Sequence, residues 1–300
     1  MSHPRGWVIA GAIGWMLAAC AHSATSGEPG QPAPVKDRDK GPYEPSNTSH
    51  GSTVTYRPVR SAAFTLERHD TLDLQLPGGA SQVQLLDRTG FLHLSLAQAA
   101  DSSYAATITL DSLQATAGGV PAGIDSIARA QGTHWTATLS PTGELSQLKA
   151  DRSSSLGDQF ASSLHALFPR LPPGGVRAGM EWADSSSFPV KADAFDATEQ
   201  AVTTYRSTEG SAPGGRKAIR VESEGSYTRA GKGVQYDQEM EMTASGKRHA
   251  SHLISTDGVV VSAQGGDAGD MTITIPAQGQ TVPVKQSGTF SITSSSPPAR

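Results

Sequence analysis

Cys20 is the residue whose type and position most directly suggest chemistry, because it is the only cysteine in the chain and it follows an apolar run. A thiol can act as a nucleophile, bind a metal or carry a covalent attachment. Here the uncharged segment Trp7–Leu17 is followed by the small residues Ala18 and Ala19. This layout is typical of a secretory signal peptide, which we predict over residues 1–19. The run is shorter than the roughly 20 residues of a spanning helix, although a short retained anchor is an alternative.

The stretch Leu17-Ala18-Ala19-Cys20 resembles the lipobox of bacterial lipoproteins. The resemblance implies cleavage before Cys20, a diacylglyceryl thioether on its sulfur and usually an acyl chain such as palmitate on the new amino group. Two or more such chains hold a protein stably on a bilayer, whereas one binds only marginally. By analogy with the sorting habits of this family, Ala21 at the next position favours the outer membrane, facing the periplasm. A plain signal peptide is the alternative interpretation.

Other motifs with catalytic spacing are weak. Ser146 and Lys149 match the S-x-x-K pattern of penicillin-binding enzymes, but they follow a predicted hairpin turn, and the S-D-N and K-T-G partner elements are missing from the sequence. The sequence also has no G-x-S-x-G, H-E-x-x-H, P-loop or C-x-x-C motif. We therefore predict no catalytic residues, no metal site and no cofactor, and we expect a protein that is not an enzyme.

Two polar stretches have side chains that could bind a metal. His249 and His252 are three residues apart, a spacing that points to opposite faces of a strand, so we interpret them as surface histidines. The segment Gly265–Asp270, "GGDAGD", is similar to calcium-binding turn repeats, but it is a single copy and predicts a flexible turn.

Acidic residues are grouped in "DAFDATE", which contains Asp193, Asp196 and Glu199. Paired carboxylates act as acid and base only when their environments separate their pKa values, so we predict a solvated acidic face here. The formal net charge of the chain is −4, and the sequence contains no basic stripe. This charge pattern argues against nucleic acid as a partner.

These residues must be positioned by strands, because apolar and polar side chains alternate along much of the chain from Val54 onward. "TLDLQLP" and "FLHLSLA" place leucines on one face, and we read "VQYDQEMEM" as one strand with its apolar side chains on one side. Such one-sided strands are typical of antiparallel sheets. Turn residues punctuate the runs, and we predict turns at 77–79, 88–90, 230–233 and 278–280. The candidate ligand-binding residues on the apolar faces are Leu72, Leu74, Leu92, Leu94, Val234, Tyr236, Met240 and Met242.

One segment has the helical period instead. Leu156, Phe160, Leu164 and Leu167 share one helical face, which predicts a central helix near 154–168. A second, weaker helix is predicted over 123–131. The Pro- and Gly-rich segment 20–53 contains too few apolar residues to fold and predicts a disordered tether, and the tail 294–300 has the same character.

We therefore expect a mainly β domain over residues 54–293, built as a large curved antiparallel sheet, half-barrel-like, with one or two short helices. A β-sandwich is the alternative. A lipid-anchored chain with a tether and such a sheet resembles the lipoprotein-carrier-like half-barrels, which include envelope lipoproteins that bind acyl chains. The resemblance implies a non-catalytic envelope protein that binds an apolar ligand or a lipidated partner. A structural or assembly module of the cell envelope, with an unidentified protein partner, is the second hypothesis.

Overall fold

All twelve strands of the domain belong to one open antiparallel sheet. The computed structural model describes residues 53–76, 79–99, 102–192, 195–235 and 238–295. The strand order is β6-β5-β3-β2-β1-β12-β11-β10-β9-β8-β7, with β4 paired to β3 outside this path. The prediction of a large antiparallel sheet with one or two short helices is confirmed. The alternative of a β-sandwich is wrong, because the strands do not divide into two sheets.

Most strands are long, and each pairs with its neighbours over most of its length. In chain order the strands are β1 (Val59–Gln75), β2 (Ser81–Gln98), β3 (Tyr104–Ala117), β4 (Val120–Pro121), β5 (His134–Leu139), β6 (Leu145–Ala150), β7 (Glu181–Ala192), β8 (Phe195–Ala212), β9 (Arg216–Gln235), β10 (Gln238–Ser255), β11 (Val260–Ile275) and β12 (Gln280–Ser294). The helices are α1 (Ile124–Ala130) and α2 (Ser155–Leu164), and short 3-10 turns cover His165–Leu167, Pro213–Gly215 and Pro276–Gln278.

The sheet is strongly curved, because its two edge strands approach the same segment of the chain. β6 and β7 lie at opposite ends of the strand order. Arg170 nevertheless contacts both Glu144, directly before β6, and Asp184 on β7. One face of the sheet is therefore concave, and α2 with the segment that follows it packs on that side.

Helix α2 is fixed by a cap at its start and by aromatic packing in its middle. The Ser154 side chain accepts a hydrogen bond from the Gly157 amide at 3.0 Å, which satisfies one of the free amides of the first turn. Phe160 is buried against β2, where a Cβ added to Gly90 would lie 2.3 Å from the Phe160 ring. The glycine therefore leaves the space into which the helix packs.

The core is divided into two large clusters. The helix-side core joins α2 to β1–β3, β5 and β6 and includes Phe64, Leu92, Leu94, Trp135 and Phe160. The far-end core lies at the other end of the long strands and is formed by Leu72, Leu74, Ala197, Met240, Met242, Ala244, Met271, Ile273, Ile275, Val282 and Val284. The concave face between these two clusters carries the polar residues described below.

Of the four turns predicted over 77–79, 88–90, 230–233 and 278–280, the second and third are wrong, and so is the turn predicted over Gly265–Asp270. Residues 77 and 78 lie outside the described residues. Residues 88–90 lie inside β2, 230–233 inside β9, and Gly265–Asp270 inside β11. The glycines in these strands make room for neighbours instead of bending the chain: a Cβ on Gly269 would lie 2.9 Å from the Tyr227 hydroxyl. The turn predicted near 278–280 is confirmed, with Gly279 in the left-handed conformation between β11 and β12.

Candidate functional site

The concave face of the sheet forms a cavity of about 810 Å³ that is open to solvent on one side, and we call it the central cavity. Strands from both halves of the sheet line it, together with the segment that leaves α2. The lining combines charged, polar and apolar side chains and includes Arg68, Asp70, Leu72, Leu86, Arg88, Ala166, Phe168, Arg170, Asp184, Ala201, Tyr205, Tyr227, Arg229, Arg248, His252, Asp267, Gln286 and Phe290. Its size falls within the roughly 300–1,000 Å³ range of small-molecule sites.

A row of charged and glycine residues crosses the concave face at the level of the cavity. The sheet register makes Asp70 on β1, Gly288 on β12, Asp267 on β11 and Arg248 on β10 direct neighbours across four strands. Since side chains at paired positions of a sheet point to the same face, all of them face the cavity. We call the charged band the set Arg68, Asp70, Arg88, Glu199, Tyr227, Arg229, Arg248 and Asp267.

The first half of the charged band contains two arginines and two carboxylates. Arg68 Nη2 lies 2.8 Å from an Asp70 oxygen and 3.0 Å from Asp267 Oδ1. Arg88 contacts the other Asp70 oxygen, and its Nη1 donates to the Gln159 side chain of α2 at 3.2 Å. Gly288 lies beneath this network, where a Cβ would come within 2.3 Å of Asp70 Oδ1.

Arg88 is the most buried cation of this half, with 4% of its side chain exposed. Burial, with a further contribution from the neighbouring Arg68 charge, lowers the pKa of Arg88 to about 9. Its Nε is buried and has no hydrogen-bond partner among the described residues. A buried donor without an acceptor costs free energy, which marks this position as one that a ligand oxygen would stabilise.

The second half of the charged band is built around Glu199, whose side chain is 0% exposed. Arg229 Nη2 donates to its Oε2 at 2.6 Å, and Arg248 donates to its Oε1. The prediction of a solvated acidic face in "DAFDATE" is therefore wrong for Glu199, because β8 turns this side chain inward between two arginines. Asp196 is exposed on β8, and Asp193 lies outside the described residues.

Tyr227 supports the two arginines of this half. The Arg248 guanidinium carbon lies 4.6 Å from the Tyr227 ring centroid and that of Arg229 lies 5.8 Å from it, both within the range of a cation–π interaction. The Gln286 amide donates to the Tyr227 hydroxyl at 2.6 Å. Burial raises the pKa of Tyr227, so this hydroxyl keeps its proton at neutral pH.

A second group of charges joins the two edges of the sheet, and we call it the seam cluster. Arg170 Nη1 lies 2.8 Å from Glu144 Oε2, and Arg170 Nε lies 3.3 Å from Asp184 Oδ2. The backbone oxygen of Arg170 accepts a hydrogen bond from Trp182 Nε1 at 3.1 Å, and the Trp182 ring stacks on Tyr205 at 5.2 Å. The seam cluster thus ties the helix exit to both ends of the sheet.

His252 is buried, which contradicts its interpretation as a surface histidine. Its Nε2 lies 2.8 Å from the Ala166 carbonyl oxygen, so the ring connects β10 to the turn after α2. Burial lowers the pKa of His252 to about 4, and this ring is neutral at pH 7. His249 is exposed, as predicted, because it lies an odd number of residues from His252 on the same strand.

The apolar candidate residues divide between core and cavity. Leu72 lines the central cavity. Leu74, Met240 and Met242 are buried in the far-end core, and Leu92 and Leu94 are buried in the helix-side core. These five fill the interior.

Val234 does not belong with the other candidates, because it is 60% exposed. "VQYDQEMEM" is a hairpin rather than one strand: β9 ends at Gln235, β10 begins at Gln238, and Val234 pairs with the exposed Glu239. The chain reversal places Val234 on the face opposite to Met240. Tyr236 lies outside the described residues.

The candidate residues for processing and attachment, Leu17, Ala18, Ala19 and Cys20, also lie outside the described residues. Ser146 and Lys149 lie on strand β6, where Lys149 is exposed and no helix presents the serine. The described ranges contain no group of three or more His, Cys, Asp or Glu side chains that could hold a metal ion. No helix in the described part of the chain combines the length and the apolar composition needed to cross a membrane.

No protein-family model and no curated protein matches this chain. Among solved structures, the chain is similar to DynF from the dynemicin biosynthesis pathway of Micromonospora chersina, with 13% identity, 91% of this chain and 94% of that chain covered, and a TM-score of 0.24. It is also similar to a mutant of Rh. blastica porin, with 8% identity, 77% and 99% coverage and a TM-score of 0.25. It is similar to Pseudomonas aeruginosa OpdO with 8% identity, 78% of this chain and 97% of that chain covered, and a TM-score of 0.17. Likenesses at these TM-scores carry no argument about the activity of this chain.

Proposed function

We propose that this protein is a lipid-anchored, non-catalytic binding protein of the bacterial cell envelope that holds a ligand in the central cavity. The observation that carries the proposal is the cavity of about 810 Å³ on the concave face of the sheet. The apolar part of its lining, which includes the predicted ligand-binding residue Leu72, suits an apolar ligand or the acyl chain of a lipidated partner. The charged band gives the same cavity polar groups that can orient what it binds.

The polar residues of the cavity favour binding over catalysis. Each carboxylate of the charged band contacts an arginine, so at least one oxygen of each is engaged in an ion pair. The buried His252 ring at the cavity contacts the backbone oxygen of Ala166 and is thereby used to hold the turn after α2. Buried arginine–carboxylate networks are costly to maintain, and their presence at a cavity is a reason to assign a functional role to it.

The proposed location rests on the sequence around Cys20. Cleavage before Cys20 and acylation of its sulfur and amino group would hold the chain on a membrane, and the outer membrane facing the periplasm is the site that Ala21 favours by analogy. The segment 20–53 would then act as a tether of roughly thirty residues, with a mean reach of about 30 Å for a flexible chain. This reach would carry the binding domain clear of the lipid head groups.

Two measurements test the proposal separately. Native mass spectrometry of the protein after mild extraction should reveal bound apolar molecules, and a fluorescent fatty-acid probe should bind to the emptied protein. If neither is observed, the binding function is wrong. Cys20→Ala should abolish the lipid-dependent gel mobility and release the protein from membranes. A variant that stays membrane-bound with unchanged mobility would contradict the anchor.

The second candidate function is an assembly module of the envelope, and the free edges of the sheet favour it. In the described ranges, β6 and β7 each pair with a neighbour on one side only. An unpaired strand edge can accept a strand from another protein. Crosslinking in intact cells separates the two candidates, because an assembly module should give one abundant protein adduct whereas a ligand carrier should be recovered mostly alone.

A further inference from the structure

We propose that Arg248, seated on Tyr227, binds the anionic head group of an amphiphilic ligand, namely a carboxylate or phosphate that carries an apolar chain. The inference rests on the proposed binding function and names the ligand class of the central cavity.

The charged band contains more arginines than carboxylates. Its described side chains comprise four arginines, namely Arg68, Arg88, Arg229 and Arg248, and three carboxylates, namely Asp70, Asp267 and Glu199. The band therefore carries one positive charge in excess, on a concave surface from which water is partly excluded. A positive excess on this surface favours an anionic ligand over a neutral one.

Arg248 is the arginine of the charged band that is placed to contact a ligand. It is the most exposed arginine of the charged band, with 32% of its side chain accessible, and it lines the central cavity. Among the described residues its Nη2 has a hydrogen-bond partner, Glu199, and its other two guanidinium nitrogens have none. The planar guanidinium lies 4.6 Å from the Tyr227 ring centroid. Stacked in this way, it can offer its remaining N–H groups to two oxygens of one oxyacid.

Close packing against two glycines fixes the Tyr227 ring beneath Arg248. A Cβ on Gly246 would lie 2.7 Å from the Tyr227 ring, and one on Gly269 would lie 2.9 Å from its hydroxyl. The ring is therefore held flat on two neighbouring strands, and Arg248 rests on a rigid support. A cation held in one orientation loses little entropy when it binds an anion.

The apolar part of the ligand has a surface to contact. Leu72, Leu86, Phe168, Ala201, Tyr205 and Phe290 line the same cavity around the charged band. An inorganic anion would leave these side chains without a partner, whereas an amphiphile would cover them and place its charged end at Arg248. The volume and the mixed lining together favour an amphiphile.

The seam cluster does not cancel the positive excess of the band. Its two carboxylates outnumber Arg170, but they are 54% and 37% exposed. Asp184 is separated from Arg248 by three strand spacings in the register, or about 14 Å along the sheet. Exposed charges at this separation are screened at physiological salt, where the Debye length is about 8 Å.

The test compares three ligands with the same chain length and different head groups. Decanoate, decyl phosphate and decanol are titrated calorimetrically, at pH 7.5, into the mature full-length protein held in an amphipathic polymer, with the empty polymer as blank. We expect at least one of the two acids to bind about tenfold or more tightly than decanol, the gain of a charge-assisted contact. The ratio between decanoate and decyl phosphate identifies the preferred oxyacid.

The variants test the residue. Arg248→Gln should bring the acids to within about threefold of decanol, and the matched control Lys247→Gln should bind like the wild type, because Lys247 is exposed on the other face of β10 and loses the same charge. Equal binding of acids and alcohol to the wild type would overturn the head-group inference and leave the binding function standing. An acid preference that survives in a folded Arg248→Gln protein would overturn the assignment to Arg248. If none of the three ligands binds, the proposed function fails as well. Should Arg248→Gln not fold, Arg248→Lys takes its place: it keeps the charge but loses the planar fork, so it should reduce the acid preference, and an unchanged preference would overturn the assignment to Arg248.

Discussion

Replacing Glu199 by Gln tests whether the buried ion pairs hold the sheet together. Glu199 is fully buried and accepts hydrogen bonds from Arg229 at 2.6 Å and from Arg248. Gln keeps the shape and one acceptor oxygen, but it removes the negative charge and points an amide N–H₂ group at guanidinium donors. The two arginines then repel each other across the site, and the carboxylate that stabilised both is gone.

The magnitude follows from the burial of the partners. Removing one member of a buried ion pair costs roughly 3–5 kcal/mol, since the remaining charge stays out of water. We expect the upper half of this range to be reached only if Arg248, which is 32% exposed, cannot turn to solvent. For a domain of this size each kcal/mol lowers the melting temperature by roughly 2–4 °C, so Glu199→Gln should lower it by about 10 °C.

The assay is urea and thermal unfolding followed by far-UV circular dichroism, with Glu241→Gln as the matched control. Glu241 also accepts from a cation, Lys232 at 2.9 Å, but these side chains are 50% and 82% exposed. Solvent screens such a pair, so the control should unfold like the wild type. Equal melting temperatures for the two variants would refute the view that the charged band contributes to the stability of the sheet.

Two further predictions concern the contacts of the helix side. Gly90→Ala should destabilise the fold by roughly 1–3 kcal/mol, because its Cβ would overlap the Phe160 ring. The control Gly123→Ala has open space around it and loses only the preference for Gly over Ala at the N-cap of α1, so it should lower the urea midpoint less. Equal urea midpoints for the two variants would show that α2 does not depend on the close approach of Phe160 to Gly90. Burial lowers the pKa of His252 from an ordinary 6.5 to about 4, so the folded state binds the extra proton less readily than the unfolded chain. The contribution of the neutral ring to the free energy of unfolding is therefore present above pH 6.5. It should fall by roughly 3 kcal/mol as the pH drops from 6.5 to 4. His252→Phe should show a flatter stability profile over this pH window, and an unchanged slope would assign the acid sensitivity to other groups.

The sheet and its helices could be predicted because their signals are local. Alternation in segments such as Leu72–Leu76 is set by the period of a strand, and helix α2 is set by a four-residue apolar spacing with a serine cap. The glycine positions could not be interpreted in the same way. Gly90 and Gly269 lie within strands because Phe160 and Tyr227, distant in sequence, pack onto them. A glycine in a sequence does not reveal which neighbour uses its space.

The charged band was missed, although part of its signal is present in the sequence. On β1 the inward positions run Leu66, Arg68, Asp70, Leu72, Leu74, so two charged residues occur in phase with the apolar ones. Charges in phase with an apolar face indicate a buried polar site. The partners of such charges cannot be predicted in this way. Arg248 on β10, which contacts Glu199, is 49 residues away in sequence and reaches it only through the register of β8, β9 and β10.

Together, the stability and binding experiments would distinguish a structural role of Glu199 from a ligand-binding role of Arg248 in the same network. Arg229 and Arg248 share the carboxylate of Glu199, but Arg229 is almost fully buried whereas Arg248 is partly open to the cavity. If the band only served to close the sheet, well-packed apolar residues would do so at no greater cost, as they do in the far-end core. Loss of Glu199 should therefore weaken the fold strongly. Loss of Arg248 should weaken it less and change the ligand preference instead. If both substitutions reduced stability equally and left the head-group preference unchanged, the charged band would have a structural role only.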